Sequence, residues 1–134
     1  AAGEPTDGRL MRLLLDTQIM LWWLLGDPRL RPAIRDRLAS SACVVSVASI
    51  WEVAIKHRLG KLPVAPTLFR DQCLAAGATI LPVLEAHVIE TAQLPALHDD
   101  PFDRLLIAQA RVEGLMAVSA DARWPGYPVS LQRV

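Results

Sequence analysis

Four short strand-like runs, residues 13–15, 43–45, 79–81 and 115–118, recur along this chain with helix-like segments between them. Runs of three or four mainly apolar residues, too short to make a helix, suit strands buried on both faces of a parallel sheet. The segments between them carry helix punctuation. Thr17 is placed to cap a helix over 18–25 that Gly26 ends, and Pro32 lies near the start of an arginine-rich helix over 31–39. Ser46 caps a longer helix running through residue 59, followed by helices over 67–76 and 84–94. A last helix over 101–113 opens on Pro101 and closes at Gly114. Residues 128–131 suit a short edge strand. Alternating strands and helices predict one α/β domain, a central, mostly parallel sheet flanked by helices.

Composition sets limits on function. Of the 134 residues, 52% are hydrophobic, which favours a folded core over a disordered chain. The formal net charge is zero, which argues against gripping nucleic acid by bulk attraction alone. The positive charge is nevertheless almost all arginine, which suits bidentate phosphate contact, although genome composition explains the bias equally well. Cys43 and Cys73 lack metal-type spacing and are expected as buried thiols in a reducing cytosol. The apolar run over 19–25 is too short to span a bilayer, so a soluble, cytoplasmic protein without membrane contact is expected. Residues 1–10 show no periodicity and read as a leader, either an expression remnant or a disordered arm. The domain then runs from 11 to 134.

The chemistry lies in where acids fall. Asp16, Glu52, Asp103 and Asp121 each stand at or just beyond a strand-to-helix junction. In a parallel sheet these junctions share one edge, so the four side chains can meet in one crevice. Singly, each has an innocent explanation. Asp16 favours a helix N-terminus, Asp103 reaches back towards a cap at Asp100, and Asp121 turns the chain. Glu52 is harder to explain so, because it lies inside its helix at the margin of an apolar stripe of Ala48, Trp51, Ile55 and Leu59, expected to pack on the sheet. Four clustered carboxylates need a counter-charge, and a hard dication such as Mg²⁺ or Mn²⁺ supplies one. That combination points to phosphate esters.

The segments Leu13-Leu14-Leu15-Asp16-Thr17, Ser46-Val47-Ala48-Ser49-Ile50-Trp51-Glu52, Asp99-Asp100-Pro101-Phe102-Asp103-Arg104 and Val118-Ser119-Ala120-Asp121 resemble those of PIN-domain ribonucleases. They are most similar to the VapC-type toxins of bacterial toxin–antitoxin pairs. The resemblance runs from residue 12 to the C-terminus and is most specific over 100–110. It implies a PIN-like α/β/α domain and Mg²⁺- or Mn²⁺-dependent endoribonuclease activity in a pocket of Asp16, Glu52, Asp103 and Asp121. It also implies restraint by a cognate antitoxin and assembly as a homodimer or toxin–antitoxin hetero-oligomer. Two departures stand out: Gln18 where many relatives carry His, and a compressed segment, Trp124-Pro125-Gly126, after Asp121.

Such a site cleaves an RNA phosphodiester with a metal-activated water, Asp16 and Asp103 serving as direct ligands while Glu52 and Asp121 hold waters or a weaker second ion. Thr17 and Ser119 are placed to orient ligands, with helix capping as the plainer role. Arg104 is expected either at an RNA phosphate or in an ion pair, and His98 as an exposed loop residue. Trp22 and Trp23 lie on different helix faces, so they pack in the core or leave one exposed as a partner anchor. Arg29, Arg31, Arg35 and Arg37 line an RNA path or simply a solvated face. Two other readings stay open. One is a catalytically weak PIN-like module gripping a basic partner peptide. The other is an aspartyl-phosphate phosphatase or receiver-type domain, weakened by Gln18 two residues after Asp16 and by the lack of any lysine beyond Lys61.

Overall fold

The computed structural model describes residues 12–134; the expected leader over 1–10 lies outside the described residues. In chain order the elements are β1 (Arg12–Leu15), α1 (Thr17–Leu25), α2 (Pro32–Ala39), β2 (Ala42–Ser46), α3 (Val47–Arg58), α4 (Pro66–Ala75), β3 (Thr79–Leu81), α5 (Glu85–Glu90), α6 (Pro101–Glu113), β4 (Met116–Ser119) and β5 (Leu131–Arg133). Single 3₁₀ turns follow α5 (Thr91–Gln93) and β4 (Trp124–Gly126). The sheet has the order β3-β2-β1-β4-β5, and every pairing is parallel. Strand order therefore reverses between β1 and β4. At such a reversal the connections leave in opposite directions and open a crevice beyond the strand carboxyl ends.

Alternation along β1 produces two cores. Leu13 and Leu15 face Ile19 of α1, Leu38 of α2 and Phe69 of α4, whereas Leu14 faces Leu106, Ile107 and Ala110 of α6 and the fully buried Trp124. Each fully buried side chain of this size contributes roughly 1.5–3 kcal/mol. Both sheet faces are covered, as continuous apolar strands demand. The exceptions are the two edge strands, β3 and β5, which are only partly buried.

Helix ends follow the sequence at most points. Asp100 Oδ1 accepts the backbone N–H groups of Phe102 and Asp103 at the start of α6 (2.9 and 3.2 Å), and Gly114 closes that helix at φ 68°, where a side chain would be strained. Ser46 accepts the N–H of Ala48 (2.9 Å).

Three expectations need correction. Thr17 caps nothing: it is the first residue of α1, and its hydroxyl donates instead to Ser49 Oγ (2.7 Å), tying α1 to α3. Of the stripe expected on α3 only Ala48 is buried, whereas Trp51 (59%), Ile55 (37%) and Leu59 (61%) are exposed. The buried side is Ala48, Ser49 and Val53, because small residues let this helix approach the sheet end closely while Trp51 packs edge-on against Phe102 (5.1 Å between centroids). Strand β5 lies at Leu131–Arg133 rather than 128–131. Pro128 offers no N–H, and pairing with β4 begins only beyond it.

Candidate active site

The crevice at the β1/β4 reversal is a cleft of about 350 Å³, and all four expected acids line it. Asp16 ends β1 and leads into α1, with only 8% of its surface exposed. Its Oδ2 accepts the hydroxyl of Ser119 (2.8 Å) from the end of β4, a partner 103 residues away in sequence. The same Ser119 oxygen accepts the backbone N–H of Asp121 (3.0 Å), so one side chain at the strand end holds both acids in register.

Asp103, 9% exposed, projects from the first turn of α6. It does not reach back to its cap. His98 Nε2 and Asp103 Oδ2 stand 3.1 Å apart, and His98 Nδ1 meets the Tyr127 hydroxyl at 2.5 Å. With its proton on Nε2 the ring donates to Asp103 and accepts from Tyr127. His98, expected as an exposed loop residue, is thus a nearly buried positioning group. The indole of Trp124 favours the ionised form of Asp103, although its N–H falls short of a hydrogen bond.

Glu52 enters from α3 and pairs with Lys56 one turn later (2.9 Å). Asp121 is held by Arg123: the backbone N–H and Nε both donate to Oδ1 (2.8 and 3.0 Å), and Nη2 donates to Oδ2 (2.7 Å). The same Nη2 reaches Asp103 Oδ2 at 3.4 Å.

These surroundings split the acids electrostatically. Burial pushes Asp16 up to about 7, a hydrogen bond from Ser119 opposes the rise, and the charges of Asp103 and Glu52 add to it. Burial likewise raises Asp103 against the lowering effect of His98. Asp121 moves the other way, because the Arg123 guanidinium stabilises its charge. Part of the counter-charge expected from a metal is therefore carried by the chain itself. Among the described residues, no three His, Cys, Asp or Glu side chains stand close enough to enclose an ion together.

Other expected residues lie elsewhere. Arg104 faces away from the cleft, one helical step round from Asp103. Its guanidinium donates to the carbonyls of Pro95, Thr91 and Leu94 (2.7, 3.0 and 3.3 Å) and to the Tyr127 oxygen (3.2 Å). Arg35 is spent on the carbonyls of Leu30 and Asp27, Arg37 on Gln132, and Arg29 on Asp27. Trp22 and Trp23 are both half-buried; Trp22 lines the cleft with the Arg29 guanidinium over its ring (4.7 Å). Sequence reasoning missed Lys56 and Arg123, the two cations of the cleft. The spacing of Lys56 four residues after Glu52 and of Arg123 two after Asp121 was the available signal.

The PIN-domain family model matches residues 13–129 of this chain. The chain belongs to the PIN-domain family. No curated protein matches it in sequence. Among solved structures, this PIN domain is similar to VapBC2 of Rickettsia felis bound to a DNA fragment from its promoter (16% identity, TM-score 0.71, covering 92% of this chain and 98% of the other). It is also similar to VapBC-1 of nontypeable Haemophilus influenzae (16%, 0.64, 92% and 98%) and to a toxin–antitoxin complex of Klebsiella pneumoniae (15%, 0.62, 91% and 99%). At such identities the likeness is one of fold. Both cysteines of this PIN domain are buried and free, and among its described residues no helix is long and apolar enough to cross a membrane.

Proposed function

We propose that this PIN domain is the toxin of a toxin–antitoxin pair, a cytoplasmic Mg²⁺- or Mn²⁺-dependent endoribonuclease restrained by a cognate antitoxin. The observation that carries the reading is the gathering of Asp16, Glu52, Asp103 and Asp121 around one cleft, with Asp16 so desolvated that it holds its proton up to about pH 7. The donor set fits a hard dication: all donors are carboxylate oxygens, and among the described residues the two most buried have no arginine or lysine closer than Arg123 at 3.4 Å from Asp103. With no trio close enough to enclose an ion among the described residues, Asp16 and Asp103 would hold it, with Glu52 and Asp121 alongside.

When bound, such an ion neutralises phosphodiester charge and makes water nucleophilic near neutral pH. The chain's own residues do the rest. Ser119 fixes the Asp16 carboxylate, and His98, backed by Tyr127, fixes that of Asp103. Lys56 and Arg123 stand at the cleft wall, where they lower the repulsion a phosphate would meet from the acids. A receiver-type alternative needs a lysine beyond a late strand, whereas the lysine of this cleft, Lys56, stands on α3 beside Glu52.

The test is incubation of purified protein with single-stranded RNA and DNA, with Mg²⁺ or Mn²⁺ and then with EDTA. Cleavage of RNA that stops with EDTA and returns with added metal is expected. Undiminished cleavage in EDTA, or none with either metal, overturns the reading, and cleavage of DNA alone replaces its substrate. The antitoxin is tested by co-purification of a small protein that abolishes that cleavage. A homodimer or hetero-oligomer, read from light scattering, is the expected assembly.

A further inference from the structure

Arg123 carries a consequence for ion binding. Its guanidinium forks onto both oxygens of Asp121, its own backbone N–H adds a further bond to Oδ1, and Nη2 leans towards Asp103 at 3.4 Å. A planar guanidinium set this way satisfies the lone pairs a metal ion would use and delivers positive charge between two acids. The opposite side of the cleft has no equivalent. Asp16 faces a neutral hydroxyl from Ser119 and receives repulsion from Asp103 and Glu52. A guanidinium is thus already in place between Asp121 and Asp103, whereas among the described residues no cation contacts Asp16, the Lys56 ammonium being held by Glu52.

We propose that Arg123 occupies the position of a second cation, so that the protein binds a single divalent ion at the Asp16–Asp103 side and admits another at Asp121 only when the arginine leaves. The inference rests on the metal-dependent reading above. The backbone at this point is anchored, because the following 3₁₀ turn carries the fully buried Trp124. The side chain itself is 52% exposed, so it can move into solvent without disturbing the fold. Ion pairs this open are weak and screened by salt. Displacement is therefore possible, and it makes any second ion the weaker of the two.

The experiment is titration of the metal-free full chain with Mn²⁺ at fixed ionic strength, read by calorimetry and by the loss of free-ion paramagnetic resonance signal. The wild type and Arg123→Lys are expected to bind one ion. Arg123→Ala is expected to bind two, the second at least tenfold tighter than any trace of it in the wild type, and Asp121→Asn in that background returns the count to one. In the absence of metal, Arg123→Ala melts at a lower temperature than the wild type, and saturating Mn²⁺ narrows the gap. Two ions bound with similar affinity by the wild type, or an Arg123→Ala isotherm identical to it, overturns the proposal while leaving a metal-dependent nuclease intact. No Mn²⁺ binding by any of the proteins overturns the underlying metal reading as well.

Discussion

The two ends of the acidic cleft use the same residue type in opposite ways. At one end Asp16 and Asp103 are nearly buried, and their pKa values rise because burial strips water from them. At the other, Asp121 is more open and its pKa falls, because Arg123 sits against it; Glu52, whose charge reaches Asp16, is paired with Lys56. Among the described residues, close cations stand against Asp121 and Glu52, whereas Asp16 has none and Asp103 meets only the His98 ring and, at 3.4 Å, Arg123. A desolvated carboxylate is a stronger attractor for a dication than one already holding a close guanidinium or ammonium partner. The contrast supports the proposal that an ion is held by Asp16 and Asp103, with Asp121 and Glu52 in a supporting part.

The largest effect that can break this comparison is in catalysis. Asp16→Asn and Asp103→Asn should each cut RNA cleavage at least about a hundredfold, the scale of losing one charge-stabilising group, whereas Asp121→Asn should cost less. Initial rates at saturating Mg²⁺ check this, and equal losses at all three positions would erase the distinction between the ends. Next in size is stability. Below its ordinary value of 3.8 Asp16 is protonated in folded and unfolded chains alike. From there to about 7 only the folded chain keeps the proton, so stability falls as pH rises across that window and the full cost persists above it. Asp16→Asn, whose amide oxygen still accepts from Ser119, should therefore stabilise the metal-free protein by roughly 3–5 kcal/mol at pH 8 and by almost nothing below pH 4. Denaturant melts at the two pH values measure it; a pH-independent difference would mean that Asp16 is not desolvated as its burial implies.

Two smaller changes sharpen the comparison. Tyr127→Phe removes the hydroxyl that His98 Nδ1 accepts, and so loosens the ring that holds Asp103. It should weaken Mn²⁺ binding about tenfold, the lower end for a group that orients a ligand, with a pH profile displaced from that of wild type. The smallest effect belongs to Lys56→Ala. An exposed i,i+4 pair contributes about 0.3–0.5 kcal/mol, so the thermal midpoint should barely move. A loss several times larger would show that Lys56 does more than screen Glu52.

Much of this was legible in the chain. The runs around Leu14, Val44 and Val118 announced buried parallel strands, Pro101 and Gly114 bounded α6, and acids at strand ends announced a shared crevice. The misreadings have a common cause. Periodicity on α3 showed that Trp51, Ile55 and Leu59 share a face but not which face meets the sheet, and small Ala48 and Ser49 took that place. Thr17 looked like a cap because its type suits one, yet Ser49 from another helix claimed its hydroxyl. His98 offered no signal, since its partners Asp103 and Tyr127 are set by folding rather than by spacing.

Sequence by itself pointed to the element order, a parallel sheet and four carboxylates able to share a crevice, because parallel strands put their carboxyl ends on one edge; the reversal of strand order that opens the crevice belongs to the tertiary structure. Only the tertiary structure decided which of those carboxylates are frustrated and which are satisfied. Desolvation comes from the packing of distant segments, as where Ser119 meets Asp16, and even the local pairs of Arg123 with Asp121 and Lys56 with Glu52 reach the cleft only once the fold has formed.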